Sequence, residues 1–100
     1  MVTVGLLANI KAKPGKEQEV ADLLSGAVAL ANEEAKTVVW FAFQLSPDTF
    51  GIYDAFATDS GRQAHLQGPI AAALMAKADE LLAEPPSIQP VDVLAAKIPS

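Results

Sequence analysis

The stretch Thr37–Ala57, TVVWFAFQLSPDTFGIYDAFA, constrains this chain more than any other. Thr37–Leu45 and Phe50–Ala57 are rich in β-branched and aromatic residues, which suit a pleated surface. Between them, Ser46-Pro47-Asp48-Thr49 fits a type I turn with Pro47 at its second position. The pattern is a β-hairpin. Its first strand does not alternate: Val38, Trp40 and Ala42 fall on one face, and Val39, Phe41, Phe43 and Leu45 on the other. A sheet wetted on one side shows polar residues at every second position. Both faces of this hairpin therefore need a cover. In a chain of 100 residues, helices can cover one. The second cover is expected from another copy of the chain, giving a homodimer.

That length fits one domain, residues 1–100. The hydrophobic fraction of 51% lies at the top of the ordinary range, as expected where part of the apolar surface is an obligate interface. No apolar run approaches the ~20 residues of a membrane span, so no membrane association is expected. The opening MVTVGLLANIKAK has neither the basic start nor the small-residue cleavage site of a signal peptide. Cysteine is absent, which excludes disulfide scaffolds, thiol nucleophiles and thiolate metal sites and makes a cytoplasmic home the simplest expectation. The net charge of −5, with scattered basic residues, argues against nucleic acid as a partner.

In chain order, Val2–Lys13 reads as a strand that Pro14-Gly15 breaks. Val20, Leu23, Leu24, Ala27, Leu30 and Ala31 recur at helical spacing and predict a helix over about 16–31. Asn32–Lys36 is a polar exit loop. After the hairpin, Ser60-Gly61-Arg62-Gln63 has the pattern of a capping box and predicts a short helix ending near Leu66. Gly68-Pro69 starts another helix, with Pro69 at its first position, that runs to about Ala83. Ser87–Ile98 holds the last strand, and Pro90 implies a sheet edge or a bulge near the strand's start. The order β-α-β-β-α-β is that of an α+β, ferredoxin-like sheet with both helices on one face.

Few residues carry candidate chemistry. His65 is the only histidine, a candidate general base whose side chain titrates nearest neutrality. Asn9 lies within an apolar strand, where a buried amide needs partners; it is a candidate to orient a substrate carbonyl or dioxygen. Trp40 offers a flat apolar wall for an aromatic ligand, with an indole N–H to spare. Asp54 shares a strand face with Ile52 and Phe56, opposite Tyr53, and if buried needs a basic partner, for which Arg62 is a candidate. A single histidine with no carboxylate pair at ligand spacing does not make a metal site, and neither metal nor other cofactor is expected. If Leu45 opposes Phe50 across the turn, Trp40 opposes Ala55 and lies on the face away from Phe56; only a bulge would bring the two together.

Three segments, Ala8–Glu17 (ANIKAKPGKE), Ile52–Phe56 (IYDAF) and Gln63–Leu66 (QAHL), resemble the antibiotic biosynthesis monooxygenase family and its quinol-monooxygenase-like branch. The resemblance runs in order along the chain. It implies a dimeric α+β barrel with a small-molecule cavity between the helices and the sheet of each subunit. Some members oxidise quinols or polyketide aromatics with oxygen and neither metal nor flavin; others degrade haem, isomerise sugar-derived signals or have no known activity. Phe56 stands where many members carry a pocket tryptophan, and Asp54 where they carry glutamate. The expectation is a small dimeric, cofactor-independent monooxygenase acting on an aromatic or quinol-like molecule, with His65 as base, Asn9 as orienting donor, and Phe56, Trp40, Asp54 and Arg62 around the substrate. The alternative is a binding or stress-associated module of the same fold without catalysis.

Overall fold

A computed structural model describes residues 1–99. The elements run β1 (Val4–Lys11), α1 (Glu17–Gly26), α2 (Val28–Asn32), β2 (Thr37–Ser46), β3 (Thr49–Phe56), α3 (Asp59–Leu66), α4 (Pro69–Leu81) and β4 (Ser87–Asp92). The strands form one antiparallel sheet in the order β2-β3-β1-β4, the ferredoxin-like arrangement. Pro90, which has no N–H to give to a neighbour, sits on the edge strand β4 as expected.

Side chains alternate across the sheet and separate it into two unlike faces. Ala8 and Ile10 of β1 and Phe50 and Ile52 of β3 join Val20 and Leu24 of α1 and Leu74 and Leu81 of α4 in one buried core. Each Val, Leu, Ile or Phe side chain among them contributes ~1.5–3 kcal/mol by leaving water. The helical stretch 16–31 is broken at Ala27 into α1 and α2. α3 begins two residues earlier than the Ser60 box implied, because the Thr58 hydroxyl accepts from the Gly61 N–H at 3.4 Å and Thr58 is the cap.

The hairpin register departs from the simple pairing. Gln44, not Leu45, pairs with Phe50, and register shifts fall between Gln44 and Ser46 and between Thr37 and Val39. Leu45 is thus the extra residue of a bulge beside the turn. Trp40 consequently opposes Asp54 and packs against the helix-side core, on the side of Phe56, and does not face the opposite side.

The other face carries Val39, Phe41 and Phe43, with Phe41 59% exposed. The segment after β4 crosses part of it. The Val93 N–H donates to the Thr3 carbonyl at 2.9 Å, and Val93, Ala95 and Ile98 close a groove of about 250 Å³ against Val39, Phe41 and Tyr53. That cover is partial: Phe41, Leu45 and Leu94 remain open to solvent. No helix is long and apolar enough to cross a membrane.

Candidate functional site

The one histidine lies in the interior between two carboxylates. His65 is 8% exposed and sits on the sheet side of α3 with Gly61, one turn earlier. Gly61 lets the helix sit close: a Cβ there would lie 3.2 Å from the Lys36 Cβ and 3.5 Å from the Phe56 Cβ. His65 Nε2 is 2.9 Å from Asp54 Oδ2, and Nδ1 is 2.6 Å from Glu34 Oε1. Asp54 comes from β3 and is 2% exposed, whereas Glu34 comes from the loop between α2 and β2. Thr37 Oγ1 also donates to Glu34 Oε1 at 2.7 Å, which fixes the carboxylate from behind.

Burial alone pushes the His65 pKa down, but the hydrogen bonds and negative charges of Asp54 and Glu34 outweigh it and raise the value to about 9. At neutral pH the ring is an imidazolium that donates from both nitrogens. It has no lone pair to offer a substrate. The expected role of His65 as a free general base is therefore corrected: its two ring nitrogens are taken by the buried Asp54 carboxylate and the half-buried Glu34 carboxylate.

The remaining candidates are distributed unevenly. Asn9 is exposed and lies on the helix-free face, opposite Gly51 and Ser87, so it does not share a pocket with His65. Alternation places it there, since its neighbours Ala8 and Ile10 are the buried ones. Arg62 does not pair with Asp54. Its Nη2 and Nε donate to Asp59 Oδ1 at 2.7 and 2.9 Å, and Nη1 reaches the Gly5 and Val91 carbonyls at 3.4 Å. The Arg62 hydrogen bond holds the Asp59 carboxyl below its usual range. Arg62 and His65 lie three residues apart on α3, and it is His65 that the helix turns towards Asp54. Phe56 is fully buried, with its ring centroid 5.5 Å from that of His65. It backs the histidine and does not line the cleft beside it.

A cleft of about 40 Å³ adjoins the pair, lined by Leu6, Ala8, Ile52, Ile70 and Leu74 with Asp54 and His65 as its polar end. Ile88, 41% exposed, stands at its outer side. Trp40 and Phe56 are not among its walls. Three buried polar atoms here lack partners: Asp54 Oδ1, Glu34 Oε2 and Trp40 Nε1. An orphaned buried acceptor costs ~1–3 kcal/mol, and native proteins seldom leave one without use. Among the described residues no group of three His, Cys, Asp or Glu is placed to hold a metal ion. Glu34 escaped the sequence reading because it lies in a polar loop 31 residues from His65, and no local spacing joins them.

No family model matches the chain, and no curated protein matches it. Among solved structures it is similar to a protein of unknown function from Nitrosomonas europaea, with 53% identity over 100% of this chain and 97% of that one, at a TM-score of 0.98. A second Nitrosomonas europaea protein, provisionally named an antibiotic biosynthesis monooxygenase, has 16% identity, covers 92% of this chain and 99% of its own, and has a TM-score of 0.82. A further structure named antibiotic biosynthesis monooxygenase has 14% identity, the same two coverages and a TM-score of 0.79. The latter two show a shared fold.

Proposed function

The chain belongs to one family with the Nitrosomonas europaea protein of unknown function, and from that footing we propose that it binds and oxidises a small hydroxylated aromatic, of the phenol or quinol class, in the cleft beside Asp54 and His65. The observation that carries this reading is Asp54 Oδ1, a buried acceptor without a donor at the polar end of an apolar cleft. A ligand hydroxyl supplies the missing donor. The ring then lies against Leu6, Ile52 and Ile70. Asp54 draws the hydroxyl proton, and the His65 cation behind it stabilises the negative charge that develops on the ligand. An electron-rich quinol anion reduces oxygen directly. Quinol plus O₂ gives hydroxyquinone plus water, so the substrate supplies all four electrons and no metal or flavin is needed. The fold shared with antibiotic biosynthesis monooxygenases supports this assignment.

A cleft of about 40 Å³ has room for one or two waters. A ring enters only when the side chains on its outer side, Leu66, Ala71 and Ile88, move aside. This size, together with the burial of Phe56 away from the cleft, favours a second reading: a binding module of the same fold without turnover. Oxygen uptake across a panel of hydroquinones and anthrones separates the two. Turnover that falls at least tenfold in Asp54→Asn supports the enzyme; binding without uptake supports the module.

We also propose a homodimer in the cytoplasm, formed through the helix-free face. Phe41, Leu45 and Leu94, all exposed, are what a second copy would cover.

A further inference from the structure

The carboxylate on the other side of His65 from the cleft borders a second cavity. This cavity, about 180 Å³ in volume, lies between the loop 34–37 and the α3–α4 junction, with Glu34, Thr37, Gly61, Ala64, His65 and Gly68 in its wall. Glu34 Oε1 is taken twice, by His65 Nδ1 at 2.6 Å and by Thr37 Oγ1 at 2.7 Å. Glu34 Oε2 is buried and has no partner. It lies beside Gly68, where the chain has no side chain. A Cβ at that position would be 3.3 Å from Glu34 Oε2, 3.2 Å from the His65 carbonyl oxygen and 3.3 Å from the Ala64 carbonyl oxygen. Three acceptors thus surround one place on the cavity wall. The Gly68 N–H is spent on the His65 carbonyl at 3.0 Å, and that oxygen keeps a second lone pair. Both carbonyls belong to the last turn of α3, where the helix dipole favours a cation. The charge of the cluster agrees: Asp54 and Glu34 set two carboxylates against the single imidazolium of His65, which leaves one negative charge in excess. We propose that this cavity binds a small primary amine in its ammonium form, with the ammonium at Glu34 Oε2 and the Ala64 and His65 carbonyls, and a short alkyl stem along Ala35 and Pro69. An ammonium brings three donors to three oxygens and supplies the missing charge. An anion would meet acceptors alone. A neutral hydroxyl donates once and leaves the charge unbalanced. The site is separate from the cleft beside Asp54, with which it shares only His65, and it does not depend on what the cleft holds.

Lys36 is the chain's own rival for the place: it lines the same cavity, and among the described residues its ammonium is in no ion pair. The test separates a tethered lysine from a free amine. His65 is the only histidine, so its ring gives single proton resonances, and it touches Glu34 directly. Propylammonium, tetramethylammonium and potassium, titrated as chlorides into the intact protein at constant ionic strength, present a charged donor, a charge of similar bulk without a donor, and a bare charge. The expected result is a saturable shift of the His65 resonances with propylammonium in the millimolar range, with binding on the order of tenfold tighter than that of either other cation. Lys36→Ala should bind propylammonium at least as tightly. Gly68→Ala puts a methyl where the three oxygens converge and should abolish the shift while the far-ultraviolet spectrum stays unchanged. Glu34→Gln should abolish it as well. An equal response to tetramethylammonium or potassium overturns the proposal, because charge alone then suffices. An undiminished response in Gly68→Ala overturns it too, as does no response to millimolar propylammonium. A response confined to Lys36→Ala shows that Lys36 fills the site and overturns the free amine. The titration uses neither oxygen nor an aromatic, so its failure leaves the oxidation reading standing, and failure of that reading leaves this site standing.

Discussion

His65 is held by charge at close range, and this gives it two measurable consequences. Its folded pKa of about 9 lies above the ordinary 6.5, so protonation favours the fold. The contribution is complete below about 6.5 and is lost as pH rises through about 9. Its size is roughly 3 kcal/mol, from ~1.36 kcal/mol per pKa unit. Denaturant melts should therefore show stability falling between pH 7 and about 9, and a His65→Gln variant should flatten that fall. The same variant should lose ~3–5 kcal/mol at neutral pH, because the buried Asp54 carboxylate is left without its cation. Phe56, fully buried against the histidine ring, should cost ~3–5 kcal/mol as Phe56→Ala. At this scale the sequence was half legible. It showed that Asp54, if buried, needed a basic partner and offered Arg62, but the phase of α3 brings His65 to Asp54 instead. That phase follows from the Thr58 cap, and Ser60 offered an equally good cap pattern. Glu34 was invisible because its partner is brought to it by tertiary packing alone.

Among the elements, the hairpin tells most about what a sequence hides. Its existence and its two apolar faces were plain from Val38–Leu45. Its register was not, because one extra residue beside a turn reverses the face of every residue beyond it. The bulge at Leu45 moved Trp40 from the open face to the helix side, opposite Asp54. Gly51 lies under the Phe43 ring: a Cβ there would come 2.3 Å from the ring's Cε1. Gly51→Ala should displace the Phe43 side chain towards solvent, visible as a large shift of its ring protons, and leave the helix-side core unperturbed. By contrast, Pro90 narrowed β4 to an edge or a bulge, since a proline nitrogen cannot donate to a ladder, and β4 lies at the edge.

For the whole molecule, the fold followed from the order of periodic segments, and the site's location on the helix side did not follow from any single motif. The exposed Phe41, Leu45 and Leu94 point to association through the open face. Light scattering at micromolar concentration should give twice the chain mass, and Phe41→Lys should shift it towards the monomer while leaving ligand binding in the cleft. The central claim is that ligands enter between the helices and the sheet, at Asp54 and His65. Amide chemical-shift mapping with hydroquinone under argon tests this most directly, because the two faces have separate reporters. The account expects the largest shifts at Leu6, Asp54, His65 and Ile88, which line the helix-side cleft. Shifts confined instead to Val39, Tyr53, Val93 and Ile98, around the groove under the C-terminal segment, would contradict it.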